Sequence, residues 1–144
     1  MRRAQLWSAL AIVVMAGCSS GESGLIPVTG TVKVDGQLTE GVQVSFWPAD
    51  GKDSRNRYGA GMTGRDGRFE LQSFSEKGIE AGEYKVTFTR TIADGKVITD
   101  PKKKADRTRQ SLPGRYGDQE TTEFTARVTK DNHDFVFDLS SKSK

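Results

Sequence analysis

The sequence predicts an all-β fold, an antiparallel seven-stranded Greek-key β-sandwich. Three observations carry that expectation. Apolar residues recur with a period of two along most of the chain, the signature of strands with one buried face. Turn dipeptides of Gly, Asp and Asn separate those segments at short intervals. Beyond residue 17, no segment sustains the 3.6-residue apolar period of a helix that could cover a sheet.

The strands follow in order. Val28, Gly30, Val32 and Val34 alternate with Thr29, Thr31 and Lys33, and Asp35-Gly36 then supplies a tight turn, because glycine accepts positive φ. Val42, Val44 and Phe46 alternate with Gln43 and Ser45 until Pro48 removes a donor. Tyr58, Ala60 and Met62 are expected to face inward between Gly59 and Gly61. Gly64-Arg65-Asp66-Gly67 turns the chain into Phe69 and Leu71. Residues 75–81 have room for one helical turn at most. Gly82 opens Tyr84, Val86 and Phe88, which alternate with Lys85, Thr87 and Thr89. Phe124, Ala126 and Val128 form the sixth strand. Lys130-Asp131-Asn132-His133 then leads into Phe135, Phe137 and Leu139 as the seventh. Residues 92–120 read as one long irregular loop, with Leu112 and Tyr116 placed to pin its end. A loop of that length is usually functional or disordered.

The N-terminus reads differently. Arg2 and Arg3 precede an apolar stretch over 6–15 broken only by Ser8, and small residues then lead to Cys18, the single cysteine. This is the layout of a secretory signal, and a stretch of ten residues is too short to span a bilayer of about 30 Å as a helix. Ala16, Gly17 and Cys18 resemble the lipobox of bacterial lipoproteins, although Met15 stands where leucine is commoner. That resemblance implies a lipid on the Cys18 thiol. The plainer alternatives are a buried small residue or an ordinary signal that is cut off. A lone thiol in an exported protein cannot form an internal disulfide, and modification would consume it. The expected organisation is a signal peptide over 1–17, a flexible tether over 18–25, the sandwich over 26–140 and a tail over 141–144. The expected location is an exported, membrane-anchored lipoprotein on the periplasmic, outer-membrane or cell-surface face. Ser19 is not the aspartate known as a retention signal in enteric lipoproteins, which favours an outer membrane where two membranes exist.

Composition narrows the function. Of 144 residues, 127 remain after the signal, one domain's worth. With 28% charged residues and a mean hydropathy of −0.60, a small-core domain fits better than a membrane body. The formal charge of +3 misleads, because Arg2 and Arg3 leave with the signal and the remaining 20 cations face 19 carboxylates. General affinity for nucleic acid is therefore not expected. The charge is unevenly placed, however. Residues 96–115 hold seven cations (Lys96, Lys102, Lys103, Lys104, Arg107, Arg109 and Arg115) against Asp100 and Asp106.

Three stretches resemble the carboxypeptidase regulatory-like domain, a transthyretin-like (prealbumin-like) sandwich. Val28-Thr29-Gly30-Thr31-Val32, with Asp35-Gly36, Gly41 and residues 42–46, is similar to its opening hairpin. Thr63-Gly64-Arg65-Asp66-Gly67-Arg68-Phe69 resembles its central hairpin, and Ala81-Gly82-Glu83-Tyr84-Lys85-Val86 its following strand. The resemblance covers 28–90, and 112–139 is similar to the tail of small bacterial lipoproteins that carry this domain. It implies an accessory module with no catalytic residues at these positions. Trp47 departs from the family, which more often carries an aliphatic or small residue there.

The search for chemistry yields few candidates. His133, the sole histidine, sits in a turn, with no strand-turn-helix context to present a nucleophile. One histidine and a lipidated cysteine supply no usual zinc set. Asp50, Asp53 and Asn56, or Asp131 and Asp134, could hold calcium, but their spacing is unlike an EF-hand loop and turn aspartates ordinarily cap backbone groups. No metal or cofactor is expected. Lys102, Lys103, Lys104, Arg107 and Arg109 could bind anionic lipid headgroups, acidic polysaccharide or nucleic acid, or form a solvated loop. The stretch lacks the aromatics of a single-strand nucleic-acid site, so nucleic acid is not expected as a partner. Trp47 points away from Val44 and Phe46 by alternation and could stack on sugar, or be covered by a neighbouring loop. The leading expectation is a lipid-anchored, non-catalytic structural or protein-interaction module of the cell envelope. The alternative is a polysaccharide or anionic-ligand module using Trp47 and the 96–115 stretch. A third, a transthyretin-like hydrolase, needs several converging histidines or arginines where this chain has a single histidine.

Overall fold

The computed structural model describes residues 24–52, 56–74, 76–100, 102 and 108–143. Cys18, Asp53, Lys103, Lys104, Arg107 and the proposed signal lie outside the described residues.

The fold is all-β. β1 (Thr29–Val34) is the axis of the first sheet. It pairs with β11 (Asp134–Leu139) on one side, and on the other with β2 (Gln37–Leu38) and β5 (Arg68–Glu70) at its two halves. The second sheet runs β10 (Thr125–Val128), β6 (Gly82–Thr89), β3 (Gln43–Pro48), β4 (Gly59–Met62), antiparallel throughout. Ala60 and Gln72 exchange backbone bonds, so β4 and the chain beyond β5 join the sheets along one side. Their inner faces enclose one core, from Val28, Val32, Val44 and Phe46 to Val86, Val128 and Leu139.

All seven expected strands are present, and three things differ from expectation. First, β1 and β11 run parallel, with Thr29 opposite Asp134 and Val34 opposite Leu139. The sheet is therefore mixed rather than antiparallel. Alternation within a strand specifies its buried face but not the direction of its neighbour.

Second, β4 has the opposite phase. Gly59 and Gly61 stand opposite Phe46 and Val44 on the inner face, while Ala60 and Met62 stand opposite Ser45 and Gln43 on the outer one. Glycine is needed inside because a Cβ on Gly61 would lie 2.4 Å from the Glu70 carbonyl oxygen. The strands meet there backbone to backbone, where the two sheets fold together.

Third, the described part of 92–120 is not wholly irregular. It carries β7 (Thr91–Ala93), β8 (Lys96–Val97) and β9 (Thr108–Gln110), a third sheet ordered β8-β7-β9. A 3-10 turn over Gly114–Tyr116 follows. Asp94 and Gly95, at φ 50° and 75°, form the same two-residue hairpin turn that Asp35 and Gly36 form at 52° and 79°. Leu112 and Tyr116 do pin the end of the segment, since both are buried in the core.

The described residues between β5 and β6 include no helical turn, within the limit of one that the sequence set. Ile26 bridges Ile79, and Gln72 bridges Gly78.

Two side chains fasten loops to this frame. Thr63, buried, accepts from the Val42 N–H at 2.9 Å and donates to the Thr39 carbonyl at 2.7 Å. The Tyr84 hydroxyl donates to the Glu80 carbonyl four residues upstream, at 2.7 Å, a corner found in Greek-key sandwiches. Burial raises the Tyr84 pKa, with the nearby Arg57 guanidinium opposing in part. A phenol whose folded pKa is raised stabilises the fold fully below its unfolded pKa, and that contribution is lost as pH rises through the folded value. Stability is therefore expected to fall above about pH 10, and Tyr84→Phe to flatten that alkaline limb in chemical denaturation across pH. An unchanged limb would remove Tyr84 as its source.

Candidate functional site

The strand directions give the sandwich two poles. β1, β4, β6 and β11 begin at the near pole, and β3, β5 and β10 end there, as the pairings require. The N-terminal segment joins at this pole, where Ile26 and Ile79 exchange both backbone bonds at 2.8 and 3.0 Å. The turns at 35–36 and 64–67, the 3-10 turn and the small sheet occupy the far pole. β6 alone spans about 25 Å at the usual rise per residue.

The small sheet is held at the far pole by Arg90, at the bend between β6 and β7. Its Nε donates to the Glu40 carbonyl at 2.8 Å, and its backbone N–H to Gln110 Oε1 at 3.2 Å. Ser111 N–H donates back to the Arg90 carbonyl. Val97 of β8 lies against Gly41, at φ +73°, where a Cβ would collide with Val97 Cγ1. Beside this contact is a cleft of about 170 Å³, lined by Gln43, Met62, Thr89, Thr91, Ile98 and Thr108.

The described members of the basic stretch lie on this appendage. Lys96 opens β8, and Arg109, exposed, stands opposite Ile92 on β9. Lys102 is exposed, and its backbone N–H is capped by Asp100 at 2.9 Å. Arg115 lies apart from them. Its guanidinium covers the Tyr116 ring at 4.4 Å and donates to the Tyr116 hydroxyl and the Lys142 carbonyl. With the Tyr116 hydroxyl also accepting from Ser140 N–H, Arg115 fastens the C-terminal segment to the core.

Trp47 sits elsewhere. It stands opposite Lys85 on β6, with its ring 4.5 Å from that of Tyr58 and its indole N–H donating to Thr87 Oγ1 at 2.9 Å. The ring is half-buried on the outer face of the second sheet, covered in part by Tyr58 at the end of the neighbouring loop that leads into β4, as one of the two expectations for Trp47 had it. Tyr58, expected to face inward, stands on the outer face beside Trp47 instead. From Lys85 to Thr89 is about 13 Å along the strand, so Trp47 and the basic appendage do not form one contact. A single ligand touching both needs the length of an oligosaccharide.

The remaining candidates are turn residues. His133 is exposed, and its carbonyl accepts from Thr29 N–H. Asp134 accepts from the Thr29 hydroxyl at 3.0 Å. Asp50 accepts from Arg57 Nη1 and from Lys52 N–H, and these bonds, with the Arg57 charge, hold its pKa below the ordinary carboxylate value. Among the described residues no three His, Cys, Asp or Glu side chains gather as a metal site requires.

No protein-family model matches this chain, and no curated protein matches it. A distantly similar solved structure is that of a variant of BcpA, the major pilin subunit of Bacillus cereus, at 10% sequence identity and a TM-score of 0.45. The likeness covers 79% of this chain and 29% of the pilin, so the chain spans under a third of that protein's length.

Proposed function

We propose that this chain is a lipid-anchored, non-catalytic β-sandwich of the carboxypeptidase regulatory-like kind, a structural or protein-interaction module at the cell envelope. It is tethered through Cys18 and offers its far pole to partners. The observation that carries this reading is the polar layout. The N-terminal segment joins at Ile26, while Lys96, Lys102 and Arg109 stand on an appendage at the opposite end. An anchor at one end leaves the other facing outward. The same layout turns the cationic appendage away from the anchoring membrane, which favours an acidic protein or polysaccharide over that membrane's own headgroups as its partner.

The three motif stretches support the family reading locally, since they form the β1–β3 segment, the turn that carries the chain from β4 in one sheet to β5 in the other, and the start of β6. The non-catalytic part of the proposal rests on chemistry. The single histidine is exposed in a turn, and the aspartates beside it and at 50 cap or accept from their own neighbourhood.

Metabolic labelling with a radioactive fatty acid tests the anchor. The wild-type chain is expected to take up label and Cys18→Ser to take up none. Equal incorporation in both would end the anchoring reading.

A further inference from the structure

Among the described residues three large apolar side chains are exposed: Leu38, Val136 and Phe74. Leu38 is on β2 at the far pole, and Val136 is on the outer face of β11. Phe74 is at the near pole and is the most exposed of the three, at 80%. Its loop is built to hold it there. Both the backbone N–H and the hydroxyl of Ser73 donate to the Glu76 carbonyl, at 2.9 and 3.1 Å, closing the turn that carries Phe74. Gly78 N–H donates to the Leu71 carbonyl and closes the base, and Leu71 and Ile79 are fully buried. The ring thus projects from a loop whose two ends are fixed in the core.

The same loop receives the N-terminal segment. Ile26 is bonded to Ile79, and Leu71 N–H donates to the Val28 carbonyl, so residues 24–28 run along the base of the loop. Gly24 and Phe74 therefore share one end of the molecule. Five residues separate Cys18 from Gly24, a span of at most about 20 Å when fully extended.

From this juxtaposition we propose that Phe74 inserts into the surface of the bilayer that holds the Cys18 lipid, as a second contact that orients the sandwich with its far pole outward. The proposal rests on the anchoring reading above. A lipid on a short tether fixes distance but not orientation, and one rigid aromatic contact beside the attachment supplies the orientation. Phenylalanine is among the side chains that bury at the boundary between headgroups and acyl chains, and membrane association is firmest when two signals act together. Lys77, the cation of this loop, is paired with Glu70 at 3.2 Å. The contact is therefore apolar in kind, and neutral lipid suffices for it.

The test uses the full lipidated chain in phosphatidylcholine vesicles, with Phe74 intact and a nitroxide on Glu76→Cys, an exposed position of the same loop, in one sample and on Leu38→Cys in another. The native thiol at 18 is blocked by its lipid. Mass spectrometry of the N-terminal peptide reports the lipid independently. The expected result is that the label at 76 gains oxygen collisions and loses access to a water-soluble nickel chelate on reconstitution, that Phe74→Ser in the same chain returns it to aqueous values, and that the label at 38 keeps its aqueous values throughout. A lipidated chain whose two labels are equally aqueous, or whose label at 76 ignores Phe74→Ser, overturns the proposal and leaves the anchor standing. A label at 76 shielded from both relaxants indicates contact with protein instead, and overturns it as well. An N-terminal peptide without lipid overturns the anchoring reading and the proposal together.

Discussion

Phe137→Ala is expected to destabilise the domain by about 3–5 kcal/mol, the usual range for truncating a central buried ring. Phe137 is 5% exposed and lies within 6.3 Å, centroid to centroid, of Phe46, Phe69, Phe88, Phe124 and Phe135. It meets aromatic neighbours from both main sheets and from the segment ahead of β10. Removing it costs the transfer free energy of the ring and leaves a cavity bounded by five rigid groups that relax poorly. Urea denaturation checks this, through a lowered midpoint at unchanged slope. The adjacent Val136→Ala is the control. Val136 is 67% exposed, so its change belongs within about 0.5 kcal/mol. Equal shifts for the two variants would mean that Phe137 is not the centre of the core.

Gly78→Ala is expected to cost about 2–5 kcal/mol, from backbone strain and a steric clash acting together. Gly78 has φ +95°, and a Cβ there would lie 2.4 Å from the Ile26 carbonyl oxygen and 2.7 Å from its carbon. Neither atom can retreat cheaply, because that carbonyl accepts from Ile79 N–H at 3.0 Å. Gly95→Ala separates the two contributions. Gly95 has φ +75° with nothing within 4 Å of a built Cβ, so only strain of about 1–2 kcal/mol remains. The same denaturation series reads both variants. If the two cost the same, the close approach of Ile26 is not what demands glycine at 78.

Much of the sandwich was legible because strand alternation and turn dipeptides are local signals. Asp35-Gly36 announced its hairpin, the 64–67 turn announced a reversal that leads from one sheet to the other, and the valines and phenylalanines of β1, β3, β6 and β11 declared their buried faces. Asp94-Gly95 carried the same turn chemistry as Asp35-Gly36. It went unread because its flanking strands are three and two residues long, too short to show a period. The phase of β4 was misread for a physical reason. Where two backbones must touch, glycine takes the inner position, and the apolar residues between the glycines are left to face outward. Periodicity equates apolar with buried, and at such a place the equation inverts. The direction of β11 relative to β1 was not legible at all, since it depends on how the intervening strands are routed. The candidate site was legible as a list of residues but not as a geometry. Sequence proximity cannot say that Trp47 pairs with Tyr58 on one face while the cations stand on an appendage about 13 Å further along the strand. Phe74 carried no signal, because a single aromatic residue in a loop has no period.

The parallel pairing of β1 with β11 also bears on how the chain is made. Thr29 meets Asp134 across 105 residues, so the first sheet is completed only once the strand at 134–139 has been synthesised. Until residue 139 is out, β1 has β2 and β5 on one side and an open edge on the other. Phe137, which joins the rings of the core, is also still missing. Contacts of such long sequence separation pay their loop-closure entropy before any packing rewards it, which slows folding. The pairing of β1 with β11 therefore forms late, and an interval with an unpaired edge strand is when chaperone capture counts most.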